Sequence, residues 1–224
     1  MIRAIVFDFD GVIANSEPLH FRAFRDVLAE RDITLAERDY YDRYLGFDDA
    51  GAFEAIARDR GLRLTGREIA DLTARKALRM EALERDGSVL FPGARAAIAR
   101  MAGLGPTAIA SGAIRAEILR VLEHERLVRF FRAIVGAEDV VRSKPAPDPY
   151  VRAVELLSTT VDRPLHASDC AAIEDSRWGV ESARAAGLHV IGITHTYSSE
   201  ALTGTDAVID HLDQLTTALL DSLG

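Results

Sequence analysis

Two aspartates, Asp8 and Asp10, close the run AIVFDFDGVI at residues 4 to 13, where a core strand should stay apolar. A buried carboxylate is unfavourable unless a cation, a metal or hydrogen-bond donors meet it. Acids at this point therefore signal chemistry, and the rest of the chain has to supply their partners. Three later segments offer them. Ser111 and Gly112 follow the run TAIA, Lys144 stands directly before Pro145 in RSKPAPDPY, and Glu174 and Asp175 follow CAAI.

Four acids gathered at one edge would repel one another without a divalent cation, and an all-oxygen set of ligands suits Mg²⁺. With the metal and Lys144 offsetting the repulsion, an aspartate carboxylate can attack phosphorus and form an aspartyl-phosphate. Asp10, two residues on, would protonate the leaving oxygen and later deprotonate the attacking water. Ser111 would donate a hydrogen bond to a phosphoryl oxygen, helped by backbone N–H groups beside Gly112.

Such residues need a scaffold that brings them together. Short apolar and β-branched runs alternate with helical stretches, which predicts βαβ units and a parallel sheet. The predicted strands are AIVF (4 to 7), TAIA (107 to 110), AIVG (133 to 136), CAAI (170 to 173), HVIGI (189 to 193) and AVI (207 to 209). Ligands of open parallel sheets bind at the carboxyl ends of strands, and the acids, the serine and the glycines all fall just past such ends. A helix predicted to begin near Asp148 places Lys144 just ahead of it.

Between the first two strands lies a stretch far longer than an ordinary crossover and almost devoid of strand signal. Ser16, Glu17 and Pro18 read as a helix start, after which Phe21, Phe24, Val27 and Leu28 share one helical face. Further helical segments rich in Ala, Leu, Arg and Glu run from about 49 to 60 and about 66 to 86. The Pro and Gly of FPGA, Phe91 to Ala94, mark the return. The expected architecture is an α/β Rossmann-like core with a parallel sheet, residues 1–15 and 89–224, and an inserted α-helical cap, residues 16–88.

Composition narrows the field. A chain of 224 residues, 48% hydrophobic and 28% charged, can bury a proper core without disulfides or metals to hold it. A formal net charge of −8 argues against a broad nucleic-acid or anionic-membrane surface, so an anionic substrate has to be held by local cations. The single cysteine, Cys170, has no internal partner for a disulfide, and no segment reaches the roughly 20 apolar residues of a membrane span. The acids inside the first apolar run do not fit a signal peptide, and a reducing cytoplasm is the expected compartment.

Taken together, DFDGVIANSE, ASGA, SKPAPDPY and IEDSRWGVESARAAG closely resemble the motifs of the haloacid dehalogenase superfamily, in its order and spacing. The resemblance covers essentially the whole chain, including the helical insert, and looks nearest to the β-phosphoglucomutase-like phosphatases and mutases. It implies that Asp8 is nucleophile and metal ligand. Asp10 would be the acid/base and bind metal through its backbone carbonyl, Ser111 and Lys144 would hold the phosphoryl group, and Glu174 and Asp175 would complete the Mg²⁺ site. Dehalogenases and phosphonate-cleaving relatives lack an aspartate where Asp10 stands, which favours ester-cleaving phosphotransfer.

Mutase relatives usually carry an arginine in a cap loop that grips a second phosphate, whereas the loop here reads LGFDDAG from Leu45 to Gly51. Asp48 and Asp49 would repel a second phosphate, so a phosphatase acting on a small phosphorylated metabolite is expected. Arg75 and Lys76 are the residues of the insert that could still hold such a phosphate, and otherwise lie on a solvated helix face. His20, near the expected hinge, either contacts substrate or packs its helix. Cys170 is expected to be a buried small hydrophobe, Trp178 to pack its helix or rim the site, and His195 and Tyr197, after HVIGI, to fall on the functional edge, where a loop role is the plainer reading.

Singly, each segment has a plainer reading: acids favour helix N-termini, a serine caps a helix, a lysine is a solvated charge. Their joint placement after successive strands is what points to function. Two alternatives to the phosphatase stand: a β-phosphoglucomutase-type isomerase, and a phosphorylation-sensing binding module, since receiver domains also set acids, a hydroxyl and a lysine on a parallel sheet. Oligomeric state leaves no trace in the sequence.

Overall fold

The structure, a computed structural model, describes residues 1–44, 47, 49–85 and 87–223. The chain divides into two compact units, Met1–Asn15 with Val89–Gly224, and Ser16–Ser88.

The first unit is built on six parallel strands: β1 (Ala4–Phe7), β2 (Thr107–Ala110), β3 (Phe131–Val135), β4 (Cys170–Glu174), β5 (His189–Ile193) and β6 (Ala207–Ile209). Their order across the sheet is β3-β2-β1-β4-β5-β6. The order reverses beside β1, between β1 and β4, and such a switch point opens a crevice at the carboxyl ends of the strands. Alternate residues Val6, Ala108, Ala172 and Val190 pack in one cluster with Tyr150, Ala153 and Leu157 of one helix and Val180 and Ala183 of another. The residues between them, Phe7, Ile109, Ile173 and Ile191, are buried as well. Both faces are covered, which is why these strands read as continuous apolar runs instead of alternating ones.

The second unit is helical: α1 (Glu17–Ala29), α2 (Glu37–Arg43), α3 (Asp49–Asp59) and α4 (Gly66–Arg85). Its core joins Phe21, Phe24, Val27 and Leu28 of α1 to Tyr40, Phe53, Ile56 and Leu72. The rings of Phe24 and Phe53 meet edge to face at 4.9 Å. Among the described residues, five further helices belong to the first unit: α5 (Ala94–Ala102), α6 (Arg115–His124), α7 (Asp148–Ser158), α8 (Arg177–Ala185) and α9 (Thr217–Asp221). No helix among the described residues is long and apolar enough to cross a membrane.

Two connectors join β1 and α5 to the helical unit. Ala14 bridges Leu90, the Asn15 N–H donates to the Val89 carbonyl at 2.7 Å, and the Phe91 N–H donates to the Ile13 carbonyl at 3.0 Å. The outgoing and returning chains therefore run side by side.

Candidate active site

Sheet register explains why the acids meet. Val6 lies opposite Ala172 and Phe7 opposite Ile173, and the Asp8 N–H extends the ladder to the Ile173 carbonyl at 3.0 Å. One step further, Asp8 stands beside Glu174 on the face that carries Val6 and Ala172. Asp8, Glu174 and Asp175 are all buried, and each offers an oxygen within 4.8 Å of the others.

One ammonium is placed against this charge. Lys144 Nζ lies 2.8 Å from Asp8 Oδ1 and 2.5 Å from Glu174 Oε1. It also sits over the ring of Tyr150, 5.2 Å from its centre. The Tyr150 hydroxyl donates to the same Glu174 oxygen at 2.5 Å, and Ser176 Oγ donates to the other at 3.3 Å. Ser176 in turn caps α8, accepting from the Gly179 N–H at 3.1 Å. A Cβ on Gly179 would lie 1.9 Å from the Glu174 carboxylate, so the glycine is what lets this acid sit against the first turn of the helix. Tyr150, Ser176 and Gly179 were not singled out from the sequence, although they belong to the quoted motifs.

Crowding shows in the titration of the acids. Burial, followed by Glu174, pushes Asp8 well above the ordinary carboxylate range against the opposing pull of Lys144. Asp175 is pushed up to about 7, again by burial first and Glu174 second, with a hydrogen bond from Thr196 working the other way. Burial alone would lower Lys144, but Asp8 and Glu174 raise it above its ordinary value and keep it charged. Three carboxylates against one ammonium leave a net negative, oxygen-only cluster, and such a donor set fits a hard divalent cation.

Stability should report this excess charge. Asp8 and Asp175 have folded-state pKa values above the unfolded ones, so the stability they contribute is present at acid pH and lost as pH rises through those raised values, which for Asp175 is about 7. Metal-free protein is expected to melt several degrees lower at about pH 8 than at about pH 5.5. Added Mg²⁺ should restore stability at the higher pH and do little at the lower, where protons compete for the carboxylates. Scanning calorimetry at the two pH values checks this, and equal Mg²⁺ shifts at both would count against a metal site here.

The remaining core candidates fall on the same edge. Ser111 follows β2, next to β1; its N–H donates to the Val135 carbonyl at 3.0 Å and its Oγ accepts from the Ala113 N–H at 3.0 Å. The hydroxyl proton is thus free of that backbone contact. A Cβ on Gly112 would meet nothing within 4 Å, so sterics do not require glycine there. Asp10 is half-buried two residues beyond Asp8, its backbone bridged to Ala14.

The candidates of the insert resolve differently. Lys76, expected on a solvated face, is 2% exposed and reaches Asp49 Oδ1 at 2.7 Å and His20 Nδ1 at 2.8 Å. Because an ammonium only donates, His20 Nδ1 accepts, and the imidazole is the neutral Nε2–H form. Burial and then Lys76 push His20 down to about 3. Arg75 remains partly exposed and pairs with Glu30. Asp49→Ala would strand a buried ammonium, with an expected loss of about 3 kcal/mol that Lys76→Met in the same chain largely recovers. Urea unfolding of the single and double variants measures it. Asp48, with Leu45 and Gly46, lies outside the described residues.

Cys170 is buried, its thiol pushed up to about 12 chiefly by burial, as a small hydrophobe in a strand should be. Trp178 is 43% exposed, with the Arg177 guanidinium 4.4 Å above its ring. Tyr197 packs against the sheet core.

Comparison with known proteins places this arrangement among enzymes. The haloacid dehalogenase-like hydrolase profile matches residues 2–187. Protein CbbY of Rhodobacter capsulatus is 34% identical over 200 residues, covering 85% of this chain and 84% of that protein. Phosphoglycolate phosphatase of Yersinia pseudotuberculosis is 30% identical (97% and 93% covered), and β-phosphoglucomutase of Bacillus subtilis 27% identical (98% and 94%). A crystal structure of a CbbY variant from Rhodobacter sphaeroides in complex with xylulose-(1,5)bisphosphate superposes with a TM-score of 0.79 at 26% identity, covering 96% of each chain.

Proposed function

Because the chain belongs to the haloacid dehalogenase-like hydrolase family, we propose that it hydrolyses a small organic phosphate monoester through a phosphorylated Asp8, with Mg²⁺ held by the carboxylate cluster. The observation that carries this reading is the buried Asp8 carboxylate, held by Lys144 at the end of β1 within a cluster of three acids.

Asp8 attacks phosphorus, and the ester oxygen departs with a proton from Asp10, leaving an aspartyl-phosphate and an alcohol. Asp10, now a carboxylate, takes a proton from water; the hydroxide attacks the same phosphorus, and phosphate leaves Asp8 regenerated. Lys144 and the Ser111 hydroxyl hold the phosphoryl oxygens, where charge grows in the transition state. Asp8, Glu174, Asp175 and the Asp10 carbonyl would hold the metal, whose chemistry is to offset repulsion between the carboxylate and an anionic phosphoryl group.

The substrate proposed is a sugar phosphate or phosphoglycolate-like acid, a choice supported by the names of the relatives. The helical unit is proposed as the cap that selects the leaving group. Hydrolysis is preferred over mutase chemistry because Lys76 and Arg75 are each engaged by a carboxylate of their own unit, Asp49 and Glu30. Phosphate release from a panel of monoesters, with and without Mg²⁺, tests the reading. Interconversion of hexose 1- and 6-phosphates without net release would replace it with the mutase; stable stoichiometric phosphorylation without turnover would replace it with a binding module.

A further inference from the structure

We propose that His195 is a positioning residue: its Nδ1–H holds the Gly11 carbonyl, and so fixes the turn that carries Asp10 against the carboxyl edge of β5.

His195 lies two residues past the end of β5, with Nδ1 2.9 Å from the Gly11 carbonyl oxygen. A carbonyl only accepts, so Nδ1 carries the proton. The imidazole ring stacks on Phe91 at 3.8 Å and 16°. Phe91 is tied by its N–H to the Ile13 carbonyl, within the turn where Ile13 and Ala14 N–H groups both reach the Phe9 carbonyl at 2.9 Å. One side chain therefore touches the outgoing connector through a hydrogen bond and the returning one through a ring.

The neighbouring residue acts on the other side of the same joint. Thr196 hydrogen-bonds Asp175, and Asp175 sits so close to Gly11 that a Cβ there would lie 1.9 Å from its carboxylate oxygen. Gly11 is also at φ +80°, where a side chain is strained. Consecutive residues of the β5 loop thus grip both the Asp10 turn and the acid it packs against. Losing the His195 bond would free the Gly11 peptide plane to rotate, and a displacement of a fraction of an ångström at Asp10 is enough to slow proton transfer.

The kinetic part of this proposal rests on the phosphatase reading; the structural part does not. His195→Phe keeps a ring for Phe91 but has no donor. His195→Asn places an N–H at about the position of Nδ1 and has no ring. The expected result is a fall in kcat of about tenfold in His195→Phe at little-changed KM and melting temperature, with His195→Asn within about threefold of wild type despite a lower melting temperature. Wild-type kcat in His195→Phe, or activity that follows melting temperature across the two variants, would overturn it by reducing His195 to packing. Nitrogen-15 spectra supply a readout independent of turnover. Wild-type His195 should show a protonated Nδ1, and amide signals of residues 9–14 should move in His195→Phe and hold in His195→Asn; the reverse pattern overturns the proposal. Were the wild-type enzyme to release no phosphate from any substrate, the phosphatase reading would fail while the spectra still decided the role of His195.

Discussion

Asp8→Asn should abolish phosphate release, by at least about 10⁴-fold, in a protein that folds as well as wild type. The amide is a poor nucleophile, and among the described residues no other carboxylate stands at the end of β1 with Lys144 against it. Stability should not suffer, because Asp8 already resists ionisation through burial and the nearby Glu174. Removing one of three crowded charges is expected to leave the metal-free melting temperature at about pH 8 equal or higher, and to shrink the gain from Mg²⁺. Activity and calorimetry on one preparation check both halves. Residual turnover above about a tenth of wild type would sink the covalent mechanism.

The opposite substitution in charge should be damaging in both respects. Lys144→Met removes the ammonium that touches Asp8 and Glu174, leaving their carboxylates to face one another in a buried site. Breaking such a pair typically costs about 3 to 5 kcal/mol, and loss of a phosphoryl-holding cation about 10³-fold in kcat. The sign of the pH effect follows from Lys144 lowering Asp8 and Asp175. Without it those groups hold protons to higher pH, so stability in the variant should fall more steeply between about pH 5.5 and 8 than in wild type. Parallel slopes in the two proteins would mean that Lys144 does not govern these acids.

The sheet was readable because its four central strands are covered on both faces and each of the six appears as an apolar run ended by a polar or glycine residue. Five of the six begin where the run begins. β3 starts two residues earlier than expected, at Phe131, because the exposed Arg132 interrupts the pattern. Helix α2, seven residues reading ERDYYDR, has no apolar period of its own and buries only Tyr40, so nothing in the sequence announced it. The acids of the site were legible for the reason that made them puzzling: carboxylates at the ends of apolar runs.

Side chains whose partners lie far away in sequence were not legible. Lys76 looked like half of a solvated Arg-Lys pair, yet it is buried against Asp49 and His20, which only the packing of α1, α3 and α4 brings within reach. His195 gave the same difficulty. Its loop is unremarkable in composition, and its partners, Gly11 and Phe91, belong to distant parts of the chain.

The paired connectors have a consequence for how such an enzyme can diversify. Residues 16–88 leave and rejoin the sheet unit at points one β-bridge apart, at Ala14 and Leu90. An insertion whose two ends nearly touch adds little closure entropy whatever its length, because that term grows only logarithmically. The helical segment can therefore be lengthened, exchanged or recombined with small effect on the folding of the sheet, so that, under the cap role proposed for it, evolution could alter what is recognised while the carboxylate cluster of the sheet unit is inherited unchanged.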